Sequence, residues 1–116
     1  MVKRIEKTKI MHRAVEHNGI VFLGGIIADD VTVGMQDQTR QICRKLDAVL
    51  AMAGTDRTRL LSAQLFITNM AAKDEMNAAW LEWLDGDDLP ARATIGVADL
   101  GDPKILIEVV VTAAAA

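Results

Sequence analysis

Two charged side chains near the end of the chain stand where packing alone gives no reason for them. Arg92 follows Pro90-Ala91 and opens the strand-like run Arg92-Ala93-Thr94-Ile95-Gly96-Val97. Glu108 is the single charge in the β-branched run Ile105-Leu106-Ile107-Glu108-Val109-Val110-Val111. Burying even a neutral polar group without a partner costs about 2–7 kcal/mol, so Glu108 requires an ion partner, a proton or a task. A carboxyl in an apolar strand has the raised pKa suited to proton exchange if no cation neutralises it. A guanidinium offers the planar fork that holds a carboxylate through two parallel hydrogen bonds. Arg92 is therefore a candidate partner or co-worker of Glu108. Taken singly, each also has a plainer reading, Arg92 as a solvated arginine and Glu108 as a structural ion-pair or edge carboxylate.

The remaining reactive side chains form no further constellation. Cys43 is the only cysteine, which rules out an internal disulfide and a cysteine-rich metal site and reads as a small packed side chain. His12 and His17 have no serine or cysteine in a recognisable pairing with either and read as loop histidines. Asp85-Gly86-Asp87-Asp88 lacks further oxygen ligands at loop spacing, so a solvated turn is expected and no metal. Gly24-Gly25 marks either a bulge or a place where a ligand or another backbone comes close.

Composition narrows the classes. A chain of 116 residues with 51% hydrophobic and 25% charged residues is expected to be one globular domain, residues 1–116. The formal charge of −3, the scattered basic residues and the four aromatics Phe22, Phe66, Trp80 and Trp83 argue against nucleic-acid binding. The apolar runs are too short for a membrane span, and Met1-Val2-Lys3-Arg4 lacks the apolar core of a signal peptide, so a cytoplasmic location is expected.

The elements that must position Arg92 and Glu108 follow from periodicity. Residues Met1–Ile10 read as a polar opening with a short edge strand. Asn18-Gly19 between Arg13–Glu16 and Ile20–Leu23 predicts a hairpin. After a loop over Ala28–Gly34, Ile42, Leu46, Val49, Leu50 and Ala53 predict a helix from about Met35 to Ala53, stopped by Gly54. Leu60–Thr68 reads as a strand with Leu61, Ala63, Leu65 and Ile67 on one face. Asn69 then caps a second helix with Met76, Ala79, Trp80, Trp83 and Leu84 on its apolar face and Asn77 in a structural role. Local rules would pair the last two strands as a hairpin around Gly101-Asp102-Pro103. The doubly apolar Ile105–Val111 run instead fits a strand covered on both faces and central in its sheet. The expected fold is α+β, a mixed sheet with two helices on one face, its open face covered by copies of the same chain.

Nearly the whole chain resembles the reactive-intermediate deaminase family, also called YjgF/UK114. The resemblance runs through Ala14-Val15, Asn18-Gly19, Val21-Phe22, Gln38-Thr39, Leu46, Val49-Leu50, Gly54, Phe66, Asn77, Pro90-Ala91-Arg92, Thr94, Leu100 and Ile107-Glu108, and the Trp80/Trp83 helix is similar to a bacterial subgroup. It implies a chorismate-mutase-like fold, a homotrimer with clefts between subunits, and a last strand inserted centrally. It also implies hydrolysis of 2-imino and 2-enamino acids to 2-oxo acids and ammonia, with no metal or organic cofactor. On this resemblance Arg92 would hold the substrate carboxylate, Glu108 would orient water and handle protons, and Gly25 and Thr94 would line the pocket. The chain departs from the family's Pro-Tyr-Ser-Gln stretch, where Ile10-Met11-His12-Arg13 stands, and from the serine at the position of Gly24. The alternatives are a trimer that binds small carboxylates without turnover and, less favoured, a ribonuclease or translation inhibitor.

Overall fold

The polar opening forms β1 (Lys3–Lys7), which lies along β2 (His12–His17) at the rim of the sheet. The computed structural model describes residues 1–116. The expected hairpin joins β2 to β3 (Ile20–Leu23), with His17 opposite Ile20. Asn18 and Gly19 have φ values of 52° and 79°, the left-handed pair that lets a two-residue turn follow the strand twist.

Helix α1 (Met35–Met52) turns Ile42, Leu46, Val49 and Leu50 into the core. It ends where Gly54 takes φ 77°. Strand β4 (Leu60–Ile67) leads through a short turn of 3-10 helix, Met70–Ala72, into α2 (Lys73–Trp83). Asn69 caps that turn by accepting the Ala71 N–H at 3.1 Å. Met76, Ala79 and Trp80 of α2 are buried against α1. On the outer surface Arg40 joins the helices, its fork meeting Glu82 at 2.8 and 3.0 Å and Asp37 at 2.9 Å. Exposed pairs of this kind contribute little stability and chiefly align the helices.

One six-stranded sheet carries both helices, in the order β1-β2-β3-β6-β4-β5, where β5 is Ala91–Gly96 and β6 is Ile107–Ala114. β4 and β5 are parallel, and β6 lies between β3 and β4, antiparallel to both. The last two strands therefore form no hairpin. The doubly apolar β6 run fits the centre: Ile107, Val109, Val111 and Ala113 are buried under the helices, while Glu108, Val110 and Thr112 are half-buried on the other face. Leu61 departs from the expected pattern. A register shift between Leu60 and Ser62 takes it off the core face, leaving it 47% exposed.

Gln38 ties the two long loops to β6. Its fully buried amide donates to the carbonyls of Val33 and Lys104 at 3.0 and 2.9 Å and, at 3.4 Å, to Val31. Its Oε1 accepts the Leu106 N–H at 3.1 Å. This one side chain fixes the backbone just ahead of Glu108. The sheet face away from the helices has no layer of its own. Phe22 is 48% exposed there, near half-buried Val110 and Phe66.

Candidate active site

Glu108 sits on the uncovered face, because its neighbours Ile107 and Val109 fill the helix side. The glycine pair beside it is both a bulge and a close approach. Phe22 pairs with Thr112, but beyond the glycines Ile26 pairs with Val109, so the register slips by one residue across Gly24-Gly25. The carboxylate of Glu108 lies over Gly25, where a Cβ would stand 2.1 Å from Oε2. Met11 covers Gly24 in the same way, with Sδ 2.9 Å from the position of a Cβ. Gly25 and Glu108 line a cavity of about 480 Å³ together with Met11, Arg13, Asp29 and Lys45. Glu108 is thus half-buried at a polar cavity, not sealed among aliphatic side chains.

The charges in this cavity are unequally committed. Lys45 donates to Asp29 Oδ1 and to the Ile27 carbonyl, both at 2.8 Å. That hydrogen bond holds the Asp29 carboxyl below its ordinary range, and the nearby charge of Arg13 adds a smaller pull in the same direction.

Arg92 belongs to the other face. In the parallel β4–β5 ladder Arg92 is level with Ala63 and Thr94 with Leu65, both buried on the helix side. Paired positions share a face, so Arg92 and Thr94 project beside α2. Arg92 is exposed, forms no ion pair, and lines a cavity of about 340 Å³ with Asn77, Trp80, Leu81, Leu89 and Pro90. Thr94 is half-buried farther along the strand and does not line this cavity. Asn77 does. Its Oδ1 is buried without a hydrogen-bond partner, a costly state for an amide oxygen. Asn77, expected in a structural role, thus stands at the Arg92 cavity with its Oδ1 buried and unpaired.

Within one chain Arg92 and Glu108 do not meet. β4 separates their strands, and the two side chains project from opposite faces. The simple salt bridge between them does not form. The structure brings together Gly25 with Glu108, and Arg92 with Asn77, in two separate cavities.

No group of three or more histidine, cysteine, aspartate or glutamate side chains is arranged to hold a metal. Cys43 is buried in α1. Desolvation, with the charge of Asp47 as a lesser cause, pushes its thiol up to about 12, which makes it a poor nucleophile. No helix is long and apolar enough to cross a membrane.

Comparison with known proteins bears on this arrangement. A family model described as Endoribonuclease L-PSP matches residues 2–115. A RutC family protein of Haemophilus ducreyi is 37% identical over 114 residues, covering 98% of this chain and 97% of that protein. The crystal structure of an uncharacterized protein from Pseudomonas aeruginosa superposes with a TM-score of 0.94 at 32% identity, over 100% of both chains. A member of the YjgF protein family from Neisseria meningitidis gives a TM-score of 0.92 at 28% identity, over 100% of this chain and 96% of the other. The α+β architecture is the chorismate-mutase-like one of these structures. With nearly every residue matched and the sheet order shared from end to end, the chain belongs to the YjgF/RutC family, the group that the Endoribonuclease L-PSP model describes.

Proposed function

We propose that the protein is a deaminase that hydrolyses reactive 2-imino acids, and the 2-enamino acids that tautomerise to them, to 2-oxo acids and ammonia. The observation that carries this reading is Arg92, an exposed guanidinium without an acidic partner that lines its own cavity of about 340 Å³. An uncommitted guanidinium suits a substrate that carries a carboxylate. The working form is a homotrimer in which the uncovered sheet face of one subunit is covered by its neighbour, and the β5 edge strand of one subunit brings Arg92 to the Glu108 cavity of the next so that the two close one cleft.

In that cleft Arg92 pins the carboxylate and so fixes the imine carbon relative to a water held by Glu108. Glu108 takes a proton from the water as its oxygen bonds to carbon and delivers that proton to the imine nitrogen, giving a neutral carbinolamine. Glu108 then passes the C–OH proton to nitrogen as C=O forms and the C–N bond breaks, releasing ammonia. Imino acid and water thus become 2-oxo acid and ammonia, and the balance calls for neither a redox partner nor a metal. The family name also mentions an endoribonuclease, but Arg40, Lys45 and Arg57, cations near α1, each already carry an acidic partner.

The test is ammonia release from imines of alanine or 2-aminobutanoate, generated in situ by an amino-acid oxidase. Wild-type protein accelerates it and Arg92→Ala does so far less; an equal rate in the variant removes the assigned role. One observation favours a second reading, a trimer that binds carboxylates without turnover. Met11, which covers Gly24, brings a thioether and no hydroxyl to the Glu108 cavity. Stabilisation by small carboxylates with no rate enhancement would favour that reading.

A further inference from the structure

We propose that Arg13 selects imino acids that carry a second carboxylate. This rests on the deaminase reading above and specifies its substrate class. Arg13 lies in β2 directly against the glycine bulge, its carbonyl accepting the Gly24 N–H at 2.9 Å. Ala14 is buried on the helix side, so Arg13 projects on the face of Glu108, and both line the same cavity.

The other cation of that cavity is committed, since Lys45 is held by Asp29 and by the Ile27 carbonyl. Arg13 forms no ion pair or side-chain hydrogen bond. The acidic residue across from it in β1, Glu6, has φ 56° and falls out of the ladder between the Ile5–Ala14 and Lys7–His12 pairs, without reaching Arg13. One guanidinium without an ion pair or hydrogen-bond partner, its charge felt at Asp29, therefore lines the same cavity as Glu108.

An alkyl side chain placed against that guanidinium would take water from it and return nothing. A carboxylate at the far end of the substrate returns a charge-assisted hydrogen bond with fork geometry. With the neighbouring Arg92 on the α-carboxylate and Arg13 on the distal one, the imine carbon stands between them beside Glu108. The favoured substrates are thus short dicarboxylic imines, hydrolysed to dicarboxylic 2-oxo acids and ammonia by the same balanced step.

The experiment compares imines made in situ from aspartate or glutamate with that from alanine, trapped as semicarbazones, for wild type, Arg13→Met and Arg13→Lys. The dicarboxylic-to-monocarboxylic ratio of kcat/KM is expected to fall about tenfold or more in Arg13→Met and to recover in part in Arg13→Lys. A role limited to neutralising Glu108 would change both rates alike, and an unchanged ratio overturns the proposal while leaving the deaminase reading standing. Thermal shifts with succinate and propionate give a readout independent of turnover. If no imine is hydrolysed, the deaminase reading fails. A succinate preference that Arg13→Met abolishes would still uphold the second carboxylate site, and equal shifts would overturn it.

Discussion

The carboxylate of Glu108 occupies the space that any side chain on Gly25 would need, since a Cβ there would stand 2.1 Å from Oε2. The obstructing atoms all belong to the flexible Glu108 side chain, so they can swing aside. Gly25→Ala is therefore expected to fold with a stability loss of only about 1 kcal/mol. Imine hydrolysis should fall much further, because the water-holding group is displaced. Thermal denaturation and initial rates on the same preparation separate the two; a fully active variant would show that the carboxylate position is immaterial.

Arg92 should behave in the opposite way to a core residue. It is exposed and without an ion partner, so Arg92→Ala is expected to alter stability by less than about 0.5 kcal/mol. Loss of a charge-assisted hydrogen bond to substrate should lower kcat/KM about ten- to a hundredfold. Arg92→Lys keeps the charge without the fork and should recover only part.

The division of the site between subunits can be checked by mixing. Arg92→Ala and Glu108→Gln chains, unfolded together and refolded as trimers, should regain about a quarter of wild-type activity, the share of interfaces with both residues intact in random head-to-tail rings. No recovery in demonstrably mixed trimers would place both residues in one subunit's site.

Gln38→Ala should be among the more damaging single changes. It leaves the carbonyls of Val33 and Lys104 and the N–H of Leu106 without a partner in buried surroundings, at about 2–4 kcal/mol in total. Urea denaturation measures this directly, and a loss below about 0.5 kcal/mol would mean that water replaces the amide.

Cys43 sets an alkaline limit. Its folded-state pKa of about 12 lies above the roughly 8.5 of a free thiol. Below the free value both states hold the proton and the group adds no pH dependence. As pH rises between the two values, the unfolded chain releases its proton first, and stability falls by about 1.4 kcal/mol per unit. Urea titrations at pH 8 and 10 should show a steeper decline for wild type than for Cys43→Ala.

The parts legible in the sequence are those with local causes. Asn18-Gly19 needs left-handed backbone, Gly54 stops a helix, and the apolar stripes of α1 and α2 announce their buried faces. The central place of β6 was legible because a strand covered on both sides carries few polar residues. Leu61 was misplaced, because a bulge shifts parity and leaves no mark in the apolar pattern. Arg92 and Glu108 could be singled out but not located relative to each other, since their opposite orientations depend on two ladders formed with β4. The choice between bulge and close approach at Gly24-Gly25 had no sequence answer, since both are true.

The central strand is also the last of the six to be synthesised. Ile20 pairs with Ala114, and Leu60 with Ala113, so the β1–β3 meander and the β4–β5 pair have no strand-to-strand contact until β6 arrives between them. A nascent chain lacking it consists of two unjoined sheet fragments, each with one strand edge more than in the finished fold, β3 in one and β4 in the other. Folding must then wait for contacts of very large sequence separation, which are slow to form. The carboxylate that the site depends on is delivered by the same strand that joins the sheet, so a chain that has not completed its fold has no Glu108 in place over Gly25.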